Sequence, residues 1–269
     1  MRSIGVHDNH EISNSNGKSE SGNFCRFASG LFGWLGMRLF DVIVVMAVAA
    51  MTVGTMEVEG THSLDVPVCK GAFDFQNAAE TEAFVLSSGS SIPPMHTTHS
   101  KLCYTHDGLY VLFEAEDAFT YNPYKNCNDD LYEYDVVEMF IAPGLGSPVS
   151  APQHYVELEI SPSGVLFESH IYNPYDTCHG INGTLIPCDG SGIVAHTSTT
   201  PSGWEAQLFV PFSVISPTAP PPSTLAVNMF RIDIVDSQGA EQFIAWSPTD
   251  TPEPCFHVPS KFGRLHLTQ

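Results

Sequence analysis

Asp135-Val136-Val137-Glu138-Met139-Phe140-Ile141-Ala142-Pro143 is an apolar, β-branched and aromatic run that ends at a proline. Such a run reads as a strand buried on both faces. A glutamate stands in its middle. An ionised carboxylate there costs several kcal/mol, on the order of 3–5, unless it is paired or neutralised. Some other group must answer Glu138.

The segments after Pro143 and before Asp135 carry the same signature. Strands are expected at Lys101–Thr105, Leu109–Glu116, Asp135–Ala142, His154–Ile160, Val165–Tyr172, Ile193–Thr199, Trp204–Val210, Leu225–Val235, Gln242–Trp246 and Arg264–Leu267. Turn signals separate them: His106-Asp107-Gly108, Pro143-Gly144, Ser161-Pro162-Ser163-Gly164 and Pro201-Ser202-Gly203. No stretch has a sustained helical period. Pro211–Ile215 reads as at most one helical turn, and Pro217–Pro222 as a proline-rich loop. About ten strands without a βαβ rhythm predict an all-β fold, an antiparallel β-sandwich or jelly roll. Residues 57–269 show no internal repeat and no second domain boundary.

Alternation assigns the faces. Val136, Glu138 and Phe140 share one face of their strand. Tyr155, Glu157 and Glu159 share a face of the next. Met229, Arg231 and Asp233 share a face of a third. Arg231 is one of six Lys/Arg after residue 57 and lies mid-strand among apolar residues. Its guanidinium matches a carboxylate bidentately, so it is the expected partner of Glu138, Glu157 or Glu159. The pair is either structural or part of a polar floor for a sugar.

Composition narrows the function. The 269 residues hold ten Lys/Arg against thirty Asp/Glu, a net charge of −20. That excludes a basic footprint for nucleic acid and disfavours anionic membrane surfaces. Residues 1–30 are polar, rich in Asn, Ser and Gly, and expected to be disordered. Leu31–Met56 is apolar except for Arg38 and Asp41. Its unbroken part, Val42–Val53, is short for a bilayer span and fits a signal peptide core, with small residues at Ala47, Ala49 and Ala50. The alternatives are a true start at Met37 and an uncleaved membrane anchor. Six cysteines follow (Cys69, Cys103, Cys127, Cys178, Cys188, Cys255), an even number that suits three disulfides in an exported chain. Cys178 and Cys188 flank a Gly/Asn-rich loop and are the expected pair. Asn182-Gly183-Thr184 in that loop is a glycosylation sequon.

Two tryptophans fall in this part of the chain. Trp204 starts a strand and is expected in the core. Trp246 ends a strand at a loop and is expected as a platform for a sugar ring, with Tyr132 or Tyr134 nearby. Asn128-Asp129-Asp130 and Glu133 crowd one loop, and Asp117 ends the strand before it. Hard oxygen ligands on loops suit calcium. GxSxG, HExxH and phosphate-cradling glycine loops are absent. Glu138 with Glu157 or Glu159 is the one carboxylate pair that could hydrolyse a glycoside.

The order of motifs resembles the family 9 carbohydrate-binding module. It runs from Tyr104-Thr105-His106-Asp107-Gly108-Leu109-Tyr110-Val111 through Asp135–Ile141, Tyr155–Gly164, Gly203-Trp204-Glu205, Asn228-Met229-Phe230-Arg231 and Trp246-Ser247-Pro248 to Phe256-His257-Val258-Pro259. The resemblance covers roughly residues 66–268. It implies a sandwich that binds poly- or oligosaccharide between aromatic rings, with structural calcium, in exported proteins linked to carbohydrate catabolism. Glu138, Arg231 and Trp246 match its motif positions, and Tyr132 stands where a tryptophan is common. The expected ligand-binding residues are therefore Trp246, Tyr132, Glu138, Arg231 and Glu157. The expected metal residues are Asp117, Asp129 and Asp130. The protein is expected to be a secreted monomer. Related haem modules share the sandwich and need axial Met and His ligands; Met95, Met139, Met229, His154 and His170 are the candidates.

Overall fold

The computed structural model describes residues 62–144, 151–217 and 222–269. The expected tail 1–30, the apolar segment 31–56, Cys25 and most of the proline-rich loop lie outside the described residues. Among the described residues no helix is long and apolar enough to cross a membrane.

Two sheets form a sandwich. The strands are β1 (Ser63–Val66), β2 (Ala79–Glu80), β3 (Val85–Leu86), β4 (Thr98–Tyr104), β5 (Gly108–Glu116), β6 (Val136–Pro143), β7 (His154–Ile160), β8 (Leu166–Tyr172), β9 (Asn182–Leu185), β10 (Val194–Thr200), β11 (Gly203–Pro211), β12 (Thr224–Ile234), β13 (Glu241–Ala245) and β14 (Gly263–Leu267). One helical turn, α1 (Phe212–Ile215), follows β11, as expected. The larger sheet runs β1-β14-β12-β6-β7-β8-β9, with β13 beside β12 and β3 beside β13. The smaller runs β10-β11-β5-β4-β2. Pairing is antiparallel except between β1 and β14. All ten expected strands are present. β1, β2, β3 and β9 were not foreseen, because two to four residues carry too little alternation to read.

Alternation along each strand builds the core. Val137, Met139 and Ile141 of β6, with Val156, Leu158 and Ile160 of β7, point to the smaller sheet and meet Val111, Phe113, Trp204 and Leu208. The opposite face of the larger sheet is covered too. Phe140, Tyr155, Phe230 and Ile232 pack under Leu131, Phe256 and Phe262, which come from connecting segments. The run Val136–Ala142 is thus buried on both faces, as its composition requires.

Three disulfides join Cys69–Cys103, Cys127–Cys188 and Cys178–Cys255. The expected Cys178–Cys188 pair does not form. The intervening residues are not a free loop: Asn182–Leu185 is extended as β9 along β8. An extended strand carries its two ends apart, each toward a different partner. The sequon Asn182 is exposed on this edge strand.

Candidate functional site

The outer face of the larger sheet carries the first constellation. Antiparallel register sets Glu138 opposite Glu159 and Phe140 opposite Glu157. On the other side Phe230 lies opposite Glu138. Three carboxyl groups on two adjacent strands therefore share one face, with oxygen atoms within 4.8 Å of one another. All three side chains are buried. Glu138 Oε1 and Glu159 Oε2 have no hydrogen-bond partner. Burial drives the carboxyls of Glu138 and Glu159 well above the usual carboxylate range, and repulsion adds to it, from Glu157 on Glu138 and from Glu138 and Glu157 on Glu159. Burial pushes Glu157 up to about 8.

Arg231 does not answer Glu138. It lies opposite Val137 in the register, which turns it to the inner face. There its Nη1 donates to Thr98 Oγ1 at 3.0 Å and to the Glu116 carbonyl at 2.6 Å. Its Nη2 donates to Asp233 Oδ1 at 2.6 Å and lies 3.3 Å from Asp117 Oδ2. His96 Nδ1 meets the other Asp233 oxygen at 2.9 Å. Asp135 lies nearby and accepts hydrogen bonds from the backbone N–H groups of Tyr121 and Ile234. The scarce mid-strand arginine does pair with carboxylates, but not with the glutamates. The faces were read correctly within each strand. Sequence could not show how one strand slides against another.

Trp246 is also inside. Along β13 and its continuation, Ile244 and Trp246 face the inter-sheet core, while Phe243 faces the outer side. Trp246 is 3% exposed and lies on Gly263, where an added Cβ would come 2.5 Å from Trp246 Cζ3. It offers no face for stacking. Trp204 is in the core, as expected.

Beside the glutamates is a cleft lined by Tyr132, Glu133, Glu138, Glu241, Phe243 and His257, with Phe140, Ile232 and Phe256 deeper and the Cys178–Cys255 disulfide at its rim. Tyr132 sits half-buried on the 3-10 turn Leu131–Glu133. Asn122 Nδ2 pins that turn by donating to the carbonyls of Leu131 and Asp135. Phe243 is half-buried on β13. Phe256 stacks on Phe230 with ring centroids 4.2 Å apart. His257 is buried against Phe140, with Nδ1 2.7 Å from the Tyr155 hydroxyl. Its Nε2 faces Glu157 Oε1 at 3.6 Å, too long for a hydrogen bond. Burial lowers this imidazole to about 4, so it is neutral. His257, Phe243 and Glu241 escaped the sequence reading. For Phe243 a signal existed: it alternates with Trp246, so only one of the two could face the cleft.

The expected calcium residues do not converge. Among the described residues, the groups of acidic and histidine donors that approach one another are His96, Asp117 and Asp233, and Glu138, Glu157 and Glu159. Asp117 faces Arg231, and its Oδ1 accepts from the Phe119 N–H. Asp129 Oδ2 is already the acceptor for Lys125 N and for two Asn126 donors. The haem candidates do not converge either. Met139 and Met229 lie opposite each other in the inter-sheet core, whereas Met95, His154 and His170 are exposed.

The profile of the family described as carbohydrate family 9 binding domain-like matches residues 70–269. A relative described as an extracellular protein, from Arthroderma benhamiae, is 27% identical over 241 residues, covering 85% of this chain and 99% of that protein. Two solved structures share the fold. A candidate carbohydrate-binding protein from Bacteroides uniformis is 17% identical with a TM-score of 0.62, covering 78% of this chain and all of that one. A family 9 carbohydrate-binding module from Caldicellulosiruptor kristjanssonii, in complex with cellotriose, is 15% identical with a TM-score of 0.53, covering 77% and 93%.

Proposed function

This chain belongs to the carbohydrate family 9 binding domain-like family, and from that premise we propose that it is a non-catalytic, exported carbohydrate-binding protein that uses the cleft on the outer face of its larger sheet. One observation carries the reading: half-buried aromatic rings and hydrogen-bonding carboxyl groups meet in the same cleft. Tyr132 and Phe243 offer apolar faces to the C–H side of a sugar ring. Glu133 and Glu241 offer oxygen atoms to its hydroxyls, with Glu138 at the floor. The expected roles of Trp246 and Arg231 pass to Phe243 and to these carboxyls, because the former pair is buried on the other face.

Export is supported by the three disulfides and by a relative described as extracellular. A catabolic setting, in which a polysaccharide is held while partner enzymes degrade it, follows from the same reading. Calorimetry with cellotriose and retention on cellulose and xylan gels test the site. Tyr132→Ala and Phe243→Ala should each weaken binding about tenfold or more, the loss of a stacked ring being worth about 1–2 kcal/mol. Unchanged binding in both variants would sink the proposal.

A further inference from the structure

Among the described residues, no Lys or Arg forms an ion pair with the carboxyl trio of the outer face. The ion pairs of Lys and Arg among the described residues run from Lys101 to Glu114, Lys261 to Asp250, and Arg231 to Asp117 and Asp233. None reaches Glu138, Glu157 or Glu159. Three carboxylates cannot all stay ionised together in a dry site without a counter-charge.

A second, non-acidic group points into the trio. His257 is buried, its Nδ1 is held by the Tyr155 hydroxyl, and its Nε2 is turned toward Glu157 without a hydrogen bond. Fixing one ring nitrogen by an outer partner keeps the other directed at Glu157, so the neutral ring borders the trio without supplying a counter-charge. Two buried carboxyl oxygens, Glu138 Oε1 and Glu159 Oε2, are likewise unpartnered.

We propose that Glu138, Glu157 and Glu159 form a binding site for one divalent cation that favours oxygen donors, manganese or calcium, with His257 bordering it at Glu157. The spacing allows it. Carboxylate oxygens lie about 2.1–2.5 Å from such ions, so ligand atoms of one ion can be up to about 5 Å apart. The three carboxyl oxygens fall within 4.8 Å of one another. A divalent charge would offset two of the three negative charges, and the strongly acidic chain attracts cations toward it. This site is separate from the Asp117, Asp129 and Asp130 set, and it holds whether or not a sugar enters the cleft.

The test is equilibrium binding of Mn2+, followed by its electron paramagnetic resonance, and of Ca2+ by calorimetry, on the full chelator-stripped chain without sugar. One ion per chain is expected. Glu138→Gln and Glu159→Gln should each weaken it about tenfold or more, while Asp129→Asn leaves it unchanged. Should the glutamate variants fail to fold, wild-type melting decides: added cation should raise the Tm, and that rise should shrink in Glu157→Gln. Absence of binding by the wild-type chain overturns the proposal, and means that protons alone neutralise the trio. So does binding that survives in both glutamate variants, or that is lost in Asp129→Asn.

Discussion

The larger sheet carries a buried acidic cluster on each side, and the two are resolved differently. On the inner side Asp117 and Asp233 share Arg231, whose guanidinium is also bound by Thr98 and a backbone carbonyl. On the outer side Glu138, Glu157 and Glu159 share only one another and a neutral histidine. A charge cluster that contains its own counter-ion is a structural device, even where Arg231 Nε and Asp117 Oδ2 lack hydrogen-bond partners of their own. One without a counter-ion keeps unsatisfied oxygens facing a cleft, which is the condition of a site that meets something from outside.

The sharpest way to break this contrast is Arg231→Leu. Removing the guanidinium leaves Asp117 without a counter-charge and Asp233 with only His96, and stability should fall by about 3–5 kcal/mol. Urea unfolding reads this directly; a loss below about 1 kcal/mol would mean that the inner cluster is not held by its arginine. Trp246→Ala tests the same inner side through packing. A buried aromatic deleted from the core should cost about 3–5 kcal/mol, visible as a lowered unfolding midpoint.

The pH response distinguishes the clusters next. In chelated protein the folded state keeps the Glu157 proton up to about 8, whereas the unfolded chain releases it near the ordinary 4.5. Stability therefore falls as pH rises through that window. Asp135, raised by burial to about 7, acts in the same direction. His257 works oppositely. Its folded value of about 4 lies below the ordinary 6.5, so the unfolded chain takes up the proton first and stability falls as pH drops from 6.5 toward 4. Melting temperatures measured from pH 4 to 9 should peak on the mildly acidic side. A Tm that climbs steadily from pH 5 to 8 would contradict the burial of these carboxyls.

Smaller effects belong to the outer face alone. Glu159→Gln removes one ionisable group from the trio and should stabilise the chelated protein at pH 8 by on the order of 1 kcal/mol. Tyr132→Ala should move the unfolding midpoint least, by less than about 1 kcal/mol for a half-buried residue, while carrying the tenfold loss of sugar binding.

Much of this was legible. The apolar runs between turn signals marked all ten principal strands, and alternation assigned Glu138, Glu157 and Glu159, and separately Arg231 and Asp233, to shared faces. The motif order identified the family. Trp246 and Arg231 were misplaced for one reason. Strand periodicity says which side chains lie together, but not which of two sides the neighbouring strand turns toward the core. A slip of one residue exchanges the two faces. The disulfides were hidden for a related reason, since loop composition around Cys178 and Cys188 did not reveal that β9 pairs with β8.

From its residues alone the chain prescribes an all-β sandwich, a doubly buried β6, an acidic composition and, after residue 57, six cysteines suited to an oxidising compartment. These follow from local pattern and composition, which need no knowledge of distant contacts. The pairing of β12 with β6 decided the rest. It put Phe230, not Arg231, beside Glu138, and so turned the guanidinium away from the glutamates. The pairings of β12 with β13 and β14 fitted Trp246 onto Gly263, and the connecting segments brought Tyr132, Phe243 and His257 together over the outer face. Those contacts join segments far apart in the chain, and hydrogen-bond register between strands sets them, which no single strand encodes.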